Sequence, residues 1–534
     1  MRYILVTGGV ISGLGKGITA SSIGFLLKQT GLCVTSIKID PYLNVDAGTM
    51  SPYEHGECYV LADGGEVDLD LGNYERFMDV ELTKDHNITT GKIYQKVLEK
   101  ERAGAYLGKT VQIVPHIVDE IQDWIVRVAR QPIQCDGKTI QPNLCIIELG
   151  GTVGDMETAP FVEALRRLST KKRSHFCFVH VSLIIDHGEQ KTKPTQESIK
   201  KLRSLGIVPD FLVLRSKSKI RPHVLDKLEI TSGIDKQNIA QNIDVPNIYF
   251  VPQAFFEQKL CFTICDYLGL WFLKFRLPQS YTSILDHYND KTLPGLKVGI
   301  AGKYVGSQDT YLSLIRAIDH ASFQIHCKVT IVWIHTEKLD LEELATCDRI
   351  IIPGGFGTRG INGKIAVANY CREHKIKMLG ICLGMQIMVV EYARFLGHDK
   401  AVSGEWTNDP EWLMENSAYK DHPLAIVDIL PDQTDRMGGT MRLGNHNIVL
   451  DDTSKLYRDS VITERRRHRY ELTVKNASLF AESPLKVVGT DVTRSLVELV
   501  TLVDHPYYVG CQYHPEFRSR FNRPHPLFVH LLSA

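Results

Sequence analysis

Cys382 lies in Gly380-Ile-Cys-Leu-Gly-Met-Gln386, after the strand-like run Lys377–Ile381 and before the apolar Ile387-Met-Val-Val390. A cysteine on such a strand-to-helix elbow exposes its sulfur at a helix N-terminus, where thiolate is favoured, and gains the Leu383 N–H as an oxyanion donor. With 41 Gly and 12 Cys in 534 residues, the pattern G-x-C-x-G arises by chance only about 0.07 times per chain. Val509-Gly-Cys-Gln-Tyr-His-Pro-Glu516 reads as a strand ending in His514 and Glu516. An imidazole can take and return the thiol proton, and a carboxylate two positions on can orient it. Pro353-Gly-Gly-Phe-Gly357 follows the strand-like Arg349–Ile352, and its amides, Gly355 above all, complete an oxyanion hole. The chemistry implied is acyl transfer from an amide: Cys382 attacks a carboxamide, ammonia leaves, and water cleaves the thioester.

A second constellation opens the chain. Tyr3-Ile-Leu-Val6 runs into Gly8-Gly-Val-Ile-Ser-Gly-Leu-Gly-Lys-Gly17 and then a helix-like Ile18–Gln29. A glycine loop between strand and helix brings backbone N–H groups to phosphates at the positive end of the helix dipole, and Lys16 adds a point charge. The loop departs from G-x-x-x-x-G-K-[ST], because five residues separate Gly9 from Gly15 and Gly17 stands where the hydroxyl that holds magnesium belongs. Carboxylates elsewhere must then supply the metal ligands. Asp70, in Glu66-Val-Asp-Leu-Asp-Leu-Gly-Asn-Tyr-Glu75, and Glu148, at the end of Leu144-Cys-Ile-Ile, are the candidates, being hard oxygen donors suited to Mg²⁺. Lys191-Thr-Lys-Pro-Thr-Gln196 packs two cations and three hydrogen-bonding side chains into one loop, which suits a second polyphosphate.

The elements that must position these residues are short β-branched strands alternating with helix-sized intervals. Ile4–Thr7, Val34–Ile39, Leu144–Ile147 and Phe211–Leu214 form one series; Lys297–Ala301, Val329–Trp333, Arg349–Ile352 and Lys377–Ile381 form another. The fold class is therefore α/β with two domains, each a mostly parallel sheet with helices on both faces. Turn formers rise from Leu277 to Gly295. The expected organisation is an ATP-dependent domain over 1–277, a linker over 278–296 and a glutaminase domain over 297–534.

Lys plus Arg and Asp plus Glu are both 62, so no global positive field recruits nucleic acid or an anionic membrane. No apolar run approaches the roughly 20 residues of a membrane span, and the N-terminal strand runs straight into the glycine turn without a leader-like apolar region. A cytoplasmic protein is expected. The 12 cysteines show neither zinc-site spacing nor disulfide density and read as reduced, buried thiols apart from Cys382. Arg465-Arg-Arg-His-Arg469, the densest charge cluster, reads as a solvated face.

Val10-Ile-Ser-Gly-Leu-Gly-Lys-Gly17, Lys38-Ile-Asp-Pro-Tyr42, Tyr53-Glu-His-Gly-Glu57, Asp68–Arg76, Glu148–Asp155 and Lys191–Gln196 resemble the synthetase motifs of CTP synthases. Gly380–Gln386, Gly438–Gly444 and His514-Pro-Glu516 resemble their class I glutaminase motifs. The resemblance implies that Gly13, Leu14, Gly15, Lys16, Gly17 and Ile18 bind ATP, with Asp244 near the adenine and Asp70 and Glu148 on Mg²⁺. It implies that Ser12, Asp155, Met156, Glu157, Lys191, Thr192, Lys193, Pro194, Thr195, Gln196 and Lys227 contact UTP or CTP. Gly355, Leu383, Gly384, Met385, Gln386, Glu405 and Arg469 would hold glutamine. Family chemistry then has ATP phosphorylate O4 of UTP and ammonia, passed internally from the glutaminase, displace that phosphate at C4. GTP would activate, CTP would inhibit, and the assembly would be a homotetramer able to stack into filaments. Two local departures accompany the likeness. Arg467 stands where alternating His and Arg would begin, so only Arg469 is carried over, and Ser182–Gly188 is shorter than the family loop before Lys191. The competing readings are an amidotransferase-ligase acting on a cobyrinic acid, which needs no pyrimidine nucleotide, and a polymerising structural protein with vestigial sites, which would lack a nucleophile, base or metal ligand.

Overall fold

Tyr3-Ile-Leu-Val6 shows no polar alternation because both faces of its strand are covered, as expected for a central strand of a parallel sheet. The computed structural model describes residues 1–9, 11–135, 137–271, 275–305, 307–430, 438–451 and 455–533; Val10 of the glycine loop lies outside them. They form two units, Met1–Ala47 with Asp68–Leu285, and Gly48–Val67 with Asp286–Ala534. The second unit thus takes in a stretch that the sequence reading left with the first domain.

The first unit is built on seven parallel strands: β1 (Arg2–Gly8), β2 (Val34–Asp40), β3 (Asn87–Thr89), β4 (Leu144–Leu149), β5 (Phe176–Leu183), β6 (Phe211–Ser216) and β7 (Ile239–Ile243). Their order across the sheet is β7-β6-β5-β1-β4-β2-β3. The register sets Glu148 beside Val6 on one side and Lys38 on the other, and sets Thr7 beside His180. Helices α1 (Lys16–Lys28), α2 (Leu69–Met78) and α3 (Lys193–Ser204) follow the glycine loop, the Asp68 cap and the Lys191 loop. Asp68 accepts the Asp70 N–H at 3.0 Å, so the start of α2 is fixed by its own N-cap. Across the expected linker the chain forms a helix, Gln279–Asn289, whose Tyr281 hydroxyl donates to the Tyr249 carbonyl at 2.6 Å.

The main sheet of the second unit has, among the described residues, nine strands: β8 (Gly295–Gly302), β9 (Lys328–His335), β10 (Arg349–Ile352), β11 (Lys377–Ile381), β12 (Arg442–Leu450), β13 (Val461–His468), β14 (Leu485–Asp491), β15 (Val497–Leu502) and β16 (Tyr508–Cys511). Their order is β9-β8-β10-β11-β16-β15-β14-β12-β13. The five strands from β9 to β16 run parallel, and the rest of the sheet is an antiparallel extension. Between β10 and β16, β11 leads into α4 (Leu383–Phe395). The strand expected to end in His514 and Glu516 stops at Cys511 instead, and Pro515–Phe517 is a single 3₁₀ turn. Pro515 has no N–H to continue a ladder.

Gly48–Val67 docks on this second unit through named contacts. The Glu57 carboxylate accepts the Ser313 N–H at 2.8 Å, and the Ala62 carbonyl accepts the Asn445 N–H at 2.8 Å. Arg465 donates to the Tyr59 hydroxyl at 2.9 Å and the Val60 carbonyl at 3.0 Å. The Arg465–Arg469 cluster is accordingly no solvated face: Arg465, Arg466 and His468 are buried, Arg466 against Glu498 and His468 against Glu471. All twelve cysteines are free thiols, and all but Cys33 and Cys58 are buried. Among the described residues no helix is long and apolar enough to cross a membrane.

Candidate functional site

In the first unit the candidate residues gather where the parallel strands end, which is where an open α/β sheet binds ligands. Gly13 and Gly15 have φ of 71° and 81°, a region that favours glycine, and a Cβ on either would meet nothing within 4 Å. Both glycines thus face open space on that side. Lys16 is buried, its ammonium donating to the Gly151 carbonyl at 3.0 Å, and burial lowers its pKa. A Cβ on Gly17 would lie 1.9 Å from Oδ1 of Asp70. The glycine at the position of the usual hydroxyl therefore makes room for a carboxylate, and the oxygen lost from the loop is replaced from α2.

Four carboxylates surround the Lys38 ammonium. It bonds Asp70, and Glu148, Asp40 and Asp68 lie at 3.3, 3.6 and 3.7 Å. Burial disfavours that charge, but Asp40, Asp70, Glu148 and Asp68 outweigh it and hold Lys38 well above the ordinary lysine range. Burial also raises the Glu148 carboxyl, with Asp70 adding to the effect, and pushes Asp40 up to about 7. The Tyr74 hydroxyl donates to Glu148. No group of three or more His, Cys, Asp or Glu side chains among the described residues is arranged to hold a metal alone. The pair Asp70 and Glu148 still fits Mg²⁺: both are hard oxygen donors, they converge on one point that the Lys38 ammonium reaches, and this metal commonly takes one or two carboxylates plus substrate phosphates.

Apart from Lys227, which lies within the helix Pro222–Ser232, the other candidates of this unit follow strand ends in the chain. Val153 donates to the Gly8 carbonyl at 3.1 Å, which brings the loop carrying Asp155, Met156 and Glu157 beside the glycine loop; all three are exposed. Lys191 and Lys193 are exposed and paired with Glu189 and Glu197 at 2.5 and 2.7 Å. Thr195 is buried and tied to the Leu183 carbonyl at 2.9 Å, while Gln196 donates to Thr192 at 3.0 Å. Ser12 and Lys227 are exposed, and Asp244, just past β7, pairs with Arg215 at 2.5 Å.

In the second unit Cys382 has φ 52° and ψ −105°, a strained setting for a residue with a Cβ and the mark of a nucleophile elbow. The flanking glycines are demanded by that turn. A Cβ on Gly384 would sit 2.1 Å from the Ile352 carbonyl oxygen, and one on Gly380 would sit 2.7 Å from the Gly384 backbone. His514 donates from Nδ1 to Glu516 at 2.7 Å, its ring stacks on Phe517 at 5.1 Å, and its Nε2 is buried with no hydrogen bond among the described residues. Burial would lower the His514 pKa, but Glu516 and Cys382 raise it to about 10, so the imidazolium is the favoured partner of this pair.

Gly354 is wedged between the two: a Cβ there would lie 2.7 Å from His514 Cε1 and 3.5 Å from Cys382 Cβ. Gly355 is beside Leu383, and Glu405 accepts the Gly357 N–H at 2.7 Å, so the glycine loop, the elbow and Glu405 form one wall. Burial raises the Glu405 carboxyl against the pull of Gly357, Lys303, Lys364 and Arg469. Arg469 reaches the Thr440 hydroxyl at 3.4 Å; Leu383, Gly384 and Met385 are buried at the start of α4, and Gln386 donates to the Tyr470 carbonyl at 2.8 Å.

A cavity of about 120 Å³ touches His514, Glu516 and Gly354–Phe356 and is closed on another side by Met50, Pro52 and Cys58. Sequence reasoning missed three residues here. Lys364 is fully buried behind Gly355, pushed down to about 7 by burial and by Lys303; a lysine in a first helical turn gives no sign of that. Arg467, set aside above, bonds Glu66 at 2.9 Å, and its carbonyl faces Cys382 at 3.7 Å. Gln512 reaches the sulfur itself at 3.7 Å; it lies just past β16, and its residue type alone gives no signal of that contact.

Residues 2–270 match the family model for the CTP synthase N-terminus, and 307–534 match glutamine amidotransferase class-I. CTP synthase of Eremothecium gossypii is 46% identical over 571 residues, covering 100% of this chain and 96% of the relative. Human CTP synthase 1 is 46% identical over 560 residues, covering 100% and 92%. Among solved structures, the glutaminase domain of Trypanosoma brucei CTPS with bound acivicin aligns at 28% identity and a TM-score of 0.39, over 44% of this chain and 92% of that one. With a glycine-loop unit and a cysteine-elbow unit each matched by its own model, and relatives alike over 96% and 92% of their length, the chain belongs to the CTP synthase family of glutamine-hydrolysing ligases.

Proposed function

We propose that this protein converts UTP, ATP and glutamine into CTP, with Cys382, His514 and Glu516 releasing the ammonia that the first unit adds to the pyrimidine. The observation that carries this reading is the elbow. Cys382 stands at φ 52° with His514 and Gly354 packed against it, and His514 is oriented by Glu516 at 2.7 Å. His514, already an imidazolium paired with Cys382, holds the proton drawn from the thiol while the sulfur adds to the carboxamide and gives it to the departing ammonia. Gly355 and Leu383 N–H groups stabilise the oxyanion, while Glu405, Arg469 and Gln386, with Gly384 and Met385, hold the rest of glutamine.

In the first unit Gly13 to Ile18 wrap the ATP phosphates, Lys16 neutralises them and Asp244 approaches the adenine. Asp70 and Glu148 would hold Mg²⁺, which when bound offsets charge on the transferring phosphate. Ser12, Asp155 to Glu157, Lys191 to Gln196 and Lys227 take UTP, or CTP as inhibitor, and UTP O4 accepts the phosphate that ammonia then displaces. The cavity beside His514 and Glu516 supports an internal start to the path of ammonia. GTP as activator, a homotetramer able to stack into filaments and a cytoplasmic setting complete the reading.

The test is absorbance-monitored CTP formation from UTP with ATP and Mg²⁺, comparing glutamine plus GTP with ammonium chloride. Both donors support synthesis by the parent. Cys382→Ala loses the glutamine-dependent rate and keeps the ammonia-dependent one. Equal loss of both, or no CTP from either donor with folded protein, overturns the reading.

A further inference from the structure

Gln512 is fully buried between β16 and His514, its backbone N–H bonded to the Glu498 carbonyl at 2.9 Å. Its amide Nε2 lies 3.7 Å from the Cys382 sulfur, and its Oε1 accepts from Gln386 Nε2 at 3.3 Å. The orientation of that amide follows from the chain of bonds. The Tyr470 carbonyl can only accept, so the Gln386 group facing it at 2.8 Å is the NH₂. That NH₂ also faces Gln512, which must answer with its oxygen, and the Gln512 NH₂ is left to face the sulfur.

The sulfur has two different neighbours for its two charge states. As a thiol it donates to the Arg467 carbonyl at 3.7 Å. As a thiolate it has no proton to give, that carbonyl becomes a repulsive neighbour, and the Gln512 amide is the one side-chain amide among the described residues bonded to it. A buried amide is costly unless both its ends are used, so a mere space-filler here would more cheaply be apolar. An amide also cannot accept or surrender a proton at neutral pH, which leaves His514 as the partner for the thiol proton and leaves the His514–Glu516 pair undisturbed.

We infer that Gln512 is a catalytic hydrogen-bond donor that stabilises the Cys382 thiolate, held in its working orientation by Gln386 and the Tyr470 carbonyl. The inference rests on Cys382 being the glutaminase nucleophile. Because Gln386 also faces the glutamine pocket of that reading, substrate binding and thiolate stabilisation share one side chain.

The experiment is the pH dependence of iodoacetamide alkylation of Cys382 in the full chain, read by mass spectrometry of its peptide, without any nucleotide or glutamine. Gln512→Met keeps the length and removes the donor; Gln512→Glu keeps the shape and replaces the donor with an acid; Gln386→Leu removes the orienting partner. Thermal unfolding checks that each variant is folded. In Gln512→Met the alkylation rate at pH 7 falls about tenfold, as its pH profile moves up by about one unit. Gln512→Glu moves it at least as far, and Gln386→Leu moves it less. A profile unmoved in both folded Gln512 variants, or a rate lowered equally at every pH, makes Gln512 a packing residue and overturns the inference. Failure of the parent to form CTP while these shifts remain would overturn the proposed reaction and leave the thiolate donor standing.

Discussion

Gly17 exchanges a hydroxyl for space, and Asp70 fills the space. This makes a counter-intuitive prediction. Gly17→Ser would restore the usual P-loop residue, yet its Cβ would meet Asp70 Oδ1 at 1.9 Å and displace the carboxylate. The side chain can swing aside, so the variant is expected to fold with a melting temperature near the parent's while ammonia-dependent CTP formation falls by at least tenfold. Unchanged turnover would detach Asp70 from the metal role. The spacing in the sequence shows that the hydroxyl is missing, but not that one particular carboxylate replaces it, since Gly17 and Asp70 meet only when α1 and α2 pack together.

At the scale of elements, β1 and α3 are fastened through one neutral imidazole. Thr7 bonds His180 Nδ1 at 2.9 Å and Ser198 bonds Nε2 at 2.6 Å, directly beneath the glycine loop, where a Cβ on Gly9 would meet Ser198 at 1.7 Å. Burial, helped by Lys16, pushes His180 down to about 3, against about 6.5 in an unfolded chain. The unfolded chain therefore binds a proton that the native state refuses. Stability from this group is complete above pH about 6.5 and drains away as pH falls toward 3. His180→Gln, which can still bond both neighbours, is expected to be about 1–2 kcal/mol less stable at pH 7 but flatter between pH 6.5 and 5. Urea unfolding at several pH values measures this, and parallel profiles would refute it.

Strands were the most legible elements. Arg349–Ile352 and Lys377–Ile381 keep their expected ends because Pro353-Gly and the Cys382 elbow terminate them. The expected strand into His514 is too long: β16 ends at Cys511, and Pro515, without an N–H, opens a 3₁₀ turn.

At the scale of the whole molecule, the second unit is assembled from two stretches of chain. Deleting Gly48–Val67 removes Glu66 from Arg467, and Tyr59 and the Val60 carbonyl from buried Arg465. A 286–534 fragment is expected to melt several degrees below the same fragment supplied with a 48–67 peptide, and to hydrolyse glutamine more slowly, because the backbone at Arg467 borders the Cys382 sulfur. Equal melting temperatures and rates with and without the peptide would refute it. No local reading finds this arrangement. Tyr53–Glu57 looks like part of its neighbours in sequence, and the charge run at Arg465 looks solvated, because Tyr59, Val60 and Glu66, the partners of Arg465 and Arg467, lie hundreds of positions away.

The excursion of Gly48–Val67 also bears on inheritance. A recombination event in the stretch between the two family matches would deliver a glutaminase without the Tyr59, Val60 and Glu66 that meet its arginines, and a synthetase carrying a loop made to fit another surface. Exchange of either half between lineages must then carry matched changes in a short distant segment, so the two halves are bound to descend together.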